Sequence, residues 1–391
     1  SSKFNIPHLN KFKYFISTFC YSFPLKLNVL GEHFLNTLSK SSNVFQNSLN
    51  IINENINSMR LHGPTGDEVI KDIDLSNKTC LITGANSGLG LEMTRCLSSR
   101  NCTVLMACRN AYAANMASKY IFGNNNLRLY EINLASLRSV KKFTDEITKC
   151  EKKIDIVILN AAVFGLPWTL TEDMLETSFQ VNYLSQFYLL MNIEKILSPD
   201  VRVVFVSSES HRNVKLDFND KLSPTEDVVS LPENKYTSIK AYNISKLCGI
   251  LSMHYLGYRW LNTKKSVFCA HPGSFVKTRL SRNWWPYETL YTVMKPFSKS
   301  ISQAASTPLY CATSPDLAGL SDAYYKNCRR CEESDLAKDL HLSFRIHDLT
   351  QDLIHSRVNT CEEIKRIESP VVSHDQPKES LEETLMPHYS T

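Results

Sequence analysis

The stretch Leu81-Ile82-Thr83-Gly84-Ala85-Asn86-Ser87-Gly88-Leu89-Gly90 decides the fold. Apolar residues close a strand, glycines turn the chain, and Leu91 to Leu97 continue as a helix. A phosphate must approach backbone N–H groups closely at such a turn, and a side chain there would block it. The helix N-terminus adds partial positive charge. The spacing is G-x-x-x-G-x-G rather than the G-x-G-x-x-G of the dinucleotide fingerprint, and a glycine-rich turn after any strand would look similar. Lodged between a strand and a helix, Gly84, Ala85, Asn86, Ser87, Gly88, Leu89 and Gly90 point to dinucleotide binding.

Outward from this turn, short apolar runs alternate with longer helical stretches. The runs are Thr79 to Thr83, Thr103 to Cys108, Leu127 to Ile132, Ile154 to Asn160, Val201 to Ser207 and Ser266 to Ala270. That rhythm predicts βαβ units around a parallel sheet buried on both faces: an α/β, doubly wound, Rossmann-type three-layer domain. The domain is expected over 77–331, after an Asn-, Ser- and Phe-rich extension (1–62) and the linker-like His62-Gly63-Pro64-Thr65-Gly66. Leu336, Leu340, Phe344, Ile346, Leu349, Leu353 and Ile354 recur at near-helical spacing, so Asp335 to Val358 reads as an amphipathic helix packed on the domain. Residues 359–391 are rich in Ser, Pro and Glu and are expected to be disordered.

Composition narrows the function. The net charge of +5 includes no run of five basic residues, so no nucleic-acid surface is expected. Twelve cysteines lie scattered through strand and helix patterns. This is unlike a secreted disulfide framework and favours a reducing, cytoplasmic setting. No apolar run reaches the roughly 18 to 20 residues of a membrane span. The best candidate, Phe12 to Leu30, is interrupted by Lys13, Ser17, Ser22, Pro24 and Lys26, so a poorly packed extension is expected, with an interfacial or targeting segment as the alternative. Cys328-x-x-Cys331 lacks a second such pair or a close histidine pair, and four ligands make a tetrahedral site, so no metal is expected.

The chemistry is carried further along. Tyr242 and Lys246 stand four apart and share a helix face. An ammonium there lowers a phenol's pKa from about 10 toward the operating pH, which makes Tyr242 a candidate general acid/base. The pattern Y-x-x-x-K also arises by chance in many helices, usually as a surface pair. Two neighbours give it weight: Ser208 ends a hydrophobic strand and offers a hydroxyl to a substrate oxygen, while Asn182, in the helical-looking Phe179 to Leu190, offers to hold a water behind the lysine. His211 reads as a loop histidine near the substrate mouth. Arg109 and Asn110 end the second strand, where an enzyme using NAD places Asp or Glu to bond the ribose. No carboxylate stands between Arg100 and Tyr130, so Arg109 is expected to grip the 2′-phosphate of NADP.

Thr83 to Gly90, Asn160-Ala161-Ala162, Asn182, Ser208, Tyr242, Lys246 and His271-Pro272-Gly273 together resemble, in order and spacing, the short-chain dehydrogenase/reductase family. The resemblance covers roughly 77–358, and retinol dehydrogenases are among the nearer branches. It implies Tyr242 as proton donor, Lys246 as the group that lowers its pKa and bonds the nicotinamide ribose, Ser208 at the substrate oxygen and Asn182 in the proton relay. It places Gly84 to Gly90, Asn160, Pro272 and Gly273 along the cofactor. Asn133 stands where the family usually has Asp at the adenine edge, and Asn160-Ala161-Ala162 where it usually has Asn-Ala-Gly. All four tryptophans, at 168, 260, 284 and 285, lie inside this region, so WW-type binding of proline-rich peptides is not expected.

The resulting expectation is an NADP(H)-dependent oxidoreductase acting on a small hydrophobic alcohol or carbonyl, steroid- or retinoid-like by resemblance, with a homodimer as a possible assembly. Trp284, Trp285, Pro286 and Tyr287 are expected to form a substrate lid. The alternative is a nucleotide-bound regulatory or interaction protein with little turnover. Ser208, Tyr242 and Lys246 favour the enzyme, because a scaffold has no physical need of a lowered-pKa tyrosine.

Overall fold

The computed structural model describes residues 63–121, 124–215, 224–273 and 299–368. The expectations for 1–62, for the lid residues Trp284, Trp285, Pro286 and Tyr287, and for 369–391 lie outside them.

Eight strands form one sheet: β1 (Thr79–Thr83), β2 (Thr103–Cys108), β3 (Leu127–Glu131), β4 (Ile154–Leu159), β5 (Leu197–Val206), β6 (Ser266–His271), β7 (Ala323–Lys326) and β8 (Arg329–Cys331). Their order is β3-β2-β1-β4-β5-β6-β7-β8, with every pair parallel except the β7–β8 hairpin. β4 and β6 are buried at every residue, which is why they read as unbroken apolar runs rather than alternating ones. After β1 the chain builds outward through β2 to β3 and then returns to lay β4 on the other side of β1. The reversal between β1 and β4 is a topological switch point, where doubly wound sheets bind ligands beyond the strands' carboxyl ends.

Helices cover both faces. On one lie α1 (Gly88–Ser98), α2 (Ala111–Ser118) and α6 (Ile301–Thr313), with Met93, Leu97, Ala114 and Leu309 buried against Ile82, Met106, Ile158 and Phe268. On the other lie α3 (Leu137–Cys150), α4, α5 (Ser238–Arg259) and α7 (Leu340–Glu368), closing over Leu81, Val157, Val203 and Cys269. α4 has three parts: Thr177–Phe179, a π-helical stretch Gln180–Leu184, and Ser185–Asn192.

Three sequence expectations need adjustment. The last two strands were unanticipated, because each is short and β8 is exposed or half-buried throughout, so neither carries a periodic apolar signal. The final helix starts at Leu340 rather than Asp335, since Asp339 caps it by accepting from Leu342 N–H at 3.0 Å. It continues to Glu368, past the expected end at 358, through a stretch in which Glu, Lys and Arg are good helix formers. Its buried stripe is Leu342, Ile346, Leu353 and Ile354, with Leu340 exposed at the first position. Among the described residues, no helix is long and apolar enough to cross a membrane.

Candidate active site

The glycine turn behaves as its spacing requires. Gly84 (φ +67°) and Gly88 (φ +52°) take left-handed conformations. A Cβ on Gly90 would lie 2.3 Å from the Gly84 carbonyl oxygen and 2.7 Å from Asn160 Nδ2, so only glycine fits there. Ser87, the extended N-cap of α1, makes no side-chain cap bond, so its hydroxyl does not occupy the first-turn N–H groups that an anion would use. Behind the turn, Thr83 Oγ1 accepts from Asn160 N–H (2.9 Å) and Ala161 N–H (3.0 Å), while Asn160 Nδ2 donates to Thr83 O (2.9 Å). The ends of β1 and β4 are thus tied at the switch point. This arrangement fits a dinucleotide.

Arg109 is exposed directly after β2, and Asn110 caps α2 by accepting from Ala113 N–H at 2.8 Å. Asn133 follows β3 at the same sheet edge, with its Oδ1 accepting from Ala135 N–H at 3.1 Å. Pro272 and Gly273 follow β6. Gly273 (φ +113°) lies against the Lys299 stem, 2.6 Å from where a Cβ would stand.

Ser208 follows β5 and opens a short 3₁₀ turn, its Oγ accepting from Ser210 N–H at 3.2 Å. That bond uses an oxygen lone pair and leaves the hydroxyl hydrogen to donate elsewhere. Tyr242 and Lys246 lie on α5, one turn apart, with Lys246 Nζ 5.5 Å from the Tyr242 ring centroid. The lysine is buried and donates to Val206 O at 2.7 Å. Burial pushes its pKa down to about 8. Tyr242 is half-buried, and Phe164 packs edge-on against it at 5.1 Å. Asn182 sits in the π-helical stretch of α4, a distortion that recurs at functional sites. Its Oδ1 accepts from Val163 N–H (2.7 Å), and its Nδ2 donates to Val163 O (3.0 Å) and Ser245 Oγ (3.1 Å).

The fold thus gathers the predicted residues along one sheet edge. His211 differs from expectation: it is fully buried, not at a mouth. Its Nδ1 bonds Ser208 O at 2.7 Å, while Nε2 accepts from Ser334 N–H at 3.2 Å, which assigns the proton to Nδ1. Burial lowers its pKa and keeps it neutral, so it braces the Ser208 backbone. Phe164 and Gln186 escaped sequence reading; neither belongs to a spaced motif, and only the fold brings them here. Cys328 lies in the β7–β8 turn and Cys331 ends β8. Among the described residues, Asp67, Glu92 and Cys96 are the group close enough to share a cation, but Arg95 already binds both carboxylates, at 2.6 and 2.9 Å.

A family model for short chain dehydrogenases matches residues 78–215. A "WW domain-containing oxidoreductase" of Drosophila melanogaster is 42% identical over 299 residues, which cover 74% of this chain and 71% of that protein. "Retinol dehydrogenase 12" of Mus musculus is 32% identical over 289 residues, covering 72% and 88% respectively. Among solved structures, an uncharacterised protein from Mycobacterium paratuberculosis superposes with a TM-score of 0.60 at 26% identity, over 75% of this chain and 98% of that one.

Proposed function

Because this chain belongs to the short-chain dehydrogenase/reductase family, we propose that it is an NADP(H)-dependent oxidoreductase interconverting an apolar secondary or primary alcohol and its carbonyl. The observation that carries this reading is the buried Lys246 ammonium held one turn from Tyr242 at the carboxyl end of β5. When bound, the nicotinamide supplies or accepts the hydride. Gly84 to Gly90 and the α1 N-terminus would hold its pyrophosphate; Asn160, Pro272 and Gly273 would line the nicotinamide half. The preference for NADP rests on Arg109, exposed where a carboxylate would repel a 2′-phosphate.

In the reducing direction, Ser208 Oγ–H donates to the carbonyl oxygen, and Tyr242 gives that oxygen its phenolic proton as hydride reaches the carbon. Lys246 stabilises the phenolate that remains. In oxidation the same phenolate takes the alcohol proton. By the family resemblance, Asn182 would help anchor the water that resupplies the proton. An apolar substrate follows from Phe164 beside Tyr242, and the retinol dehydrogenase relative points to a retinoid- or steroid-like class.

A panel of hydrophobic ketones, aldehydes and alcohols, followed at the NADPH absorbance band, tests the reading. Turnover with NADPH that disappears in Tyr242→Phe supports it. Tight NADPH binding without turnover across the panel would instead favour the nucleotide-bound regulatory alternative.

A further inference from the structure

Gln186, on α4, is buried and uses both ends of its amide. Its Oε1 accepts from Thr83 Oγ1–H at 2.7 Å; its Nε2 donates to Ala161 O at 2.9 Å and Asn182 O at 2.8 Å. With carbonyl oxygens around one end and a hydroxyl hydrogen at the other, the amide fits one way round only. The π-helical stretch makes room for this. Its backbone N–H groups reach five residues back, as Ser185 does to Gln180, and the Gln186 side chain then serves the Asn182 carbonyl.

From Asn182 the path continues. Asn182 Nδ2 donates to Ser245 Oγ at 3.1 Å, and Ser245 Oγ–H donates to the carbonyl oxygen of Tyr242 at 2.7 Å. Thr83 ends β1 at the glycine turn, and its Oγ1 also receives the Asn160 and Ala161 N–H groups after β4. A continuous, buried line of hydrogen bonds therefore joins both halves of the cofactor cradle to the backbone of Tyr242. Each link has a single direction.

We infer that Gln186 and Ser245 are positioning residues that hold Tyr242 in register with the cofactor cradle, through the line Thr83–Gln186–Asn182–Ser245. This rests on the function proposed above. Hydride and proton must reach adjacent atoms of one carbonyl, the first from a cofactor placed by the ends of β1 and β4, the second from a phenol on α5. An error of about 1 Å between them costs on the order of a hundredfold in rate. The sheet itself holds α5 at β5, where Lys246 Nζ donates to Val206 O at 2.7 Å. The line adds a tie from α5 to the ends of β1 and β4.

The test uses the full chain with Gln186→Met, Ser245→Ala, the double variant and Gln186→Glu, read by kcat, KM, NADPH Kd and thermal midpoint. Gln186→Met keeps the volume and removes every bond; kcat is expected to fall about tenfold or more with KM nearly unchanged. Ser245→Ala should act likewise. The double variant should fall well short of the product of the two losses, because both cut one line. Gln186→Glu keeps the acceptor for Thr83 but donates only when protonated, so its kcat should recover as pH is lowered while that of Gln186→Met does not. A lower midpoint with unchanged kcat and pH profile would overturn the inference, as would losses that simply multiply. If the parent turns over no compound tested, the proposed function fails on its own. The line is then judged by NADPH binding: Ser245→Ala, outside the cradle, weakens it about threefold if the line exists and leaves it unchanged if not.

Discussion

Replacing Lys246 by Met should separate stability from catalysis. Lys246 is 5% exposed, so solvent screens its charge little. Burial pulls its pKa from 10.5 to about 8. That gap means the folded protein carries a penalty of about 3 kcal/mol for keeping the group charged below pH 8. The 2.7 Å bond to Val206 O offsets about half of it. Lys246→Met should therefore be as stable as the parent at pH 7, or more stable by up to about 2 kcal/mol, although breaking a buried charge contact ordinarily costs about 3 to 5. The sign with pH follows from the depressed value. Between pH 8 and 10.5 the unfolded chain binds more protons, so the parent's penalty shrinks, and from pH 7 to 9.5 it should gain about 2 kcal/mol on the variant. Catalysis moves the other way. A charge about 5.5 Å from the Tyr242 ring is worth roughly 3 kcal/mol at an effective dielectric of about 20, and it favours the phenolate. Alcohol oxidation by the variant should need a correspondingly higher pH. Urea midpoints at pH 7 and 9.5, with pH–kcat profiles, measure both. A variant several kcal/mol less stable at pH 7, or an unmoved pH profile, would refute the reasoning.

Four further outcomes are expected. Tyr242→Phe should lose about 10² to 10⁴ in turnover, with NADPH binding nearly intact by titration. Arg109→Glu should weaken NADPH more than NADH, and equal losses in parallel titrations would remove Arg109 from the 2′-phosphate. Gly90→Ala places a Cβ 2.3 Å from Gly84 O, so calorimetry should show NADPH affinity down at least about tenfold and stability down by about 1 to 3 kcal/mol. His254 lies 2.7 Å from Asp322 and 3.0 Å from Glu333; burial alone would lower its pKa, but the two carboxylates outweigh it and raise the value to about 9. Because Asp322 is well exposed, this contributes about 1 to 2 kcal/mol, present below pH 6.5 and lost as pH rises through 9. Denaturation of His254→Gln at pH 6 and 9.5 should show the difference closing.

The sequence disclosed the elements whose physics is local. β1, β2, β4 and β6 are continuous apolar runs because both faces are covered, and their ends agree with the reading within one residue. β7 and β8 were silent for a tertiary reason. Ala323–Lys326 is only four residues long and reads as strand because β6 lies beside it, with Phe268 paired to Ala323 and His271 to Lys326. Helix α7 ran past its expected end because the Glu, Lys and Arg of 359–368 dominated the reading of that stretch, although they are good helix formers.

At the site, what was legible and what was not divide by the type of atom involved. Glycines at 84, 88 and 90 and the Tyr242/Lys246 pair announce themselves because one backbone conformation or one helix turn fixes their spacing. Gln186 does not. It works by satisfying carbonyl and hydroxyl groups contributed by residues 83, 161 and 182, and a buried amide that pairs with backbone leaves no pattern in composition or period. His211 misled for the related reason that a histidine in a loop sequence looks exposed until Ser208 and Ser334 are seen to enclose it. A dehydrogenase site of this kind has reacting groups recognisable by spacing, held in register by polar side chains that only the fold reveals. If that division is physical, Gln186→Met should impair turnover while Leu261→Ala, at an exposed surface position, leaves it unchanged, although no motif singles Gln186 out.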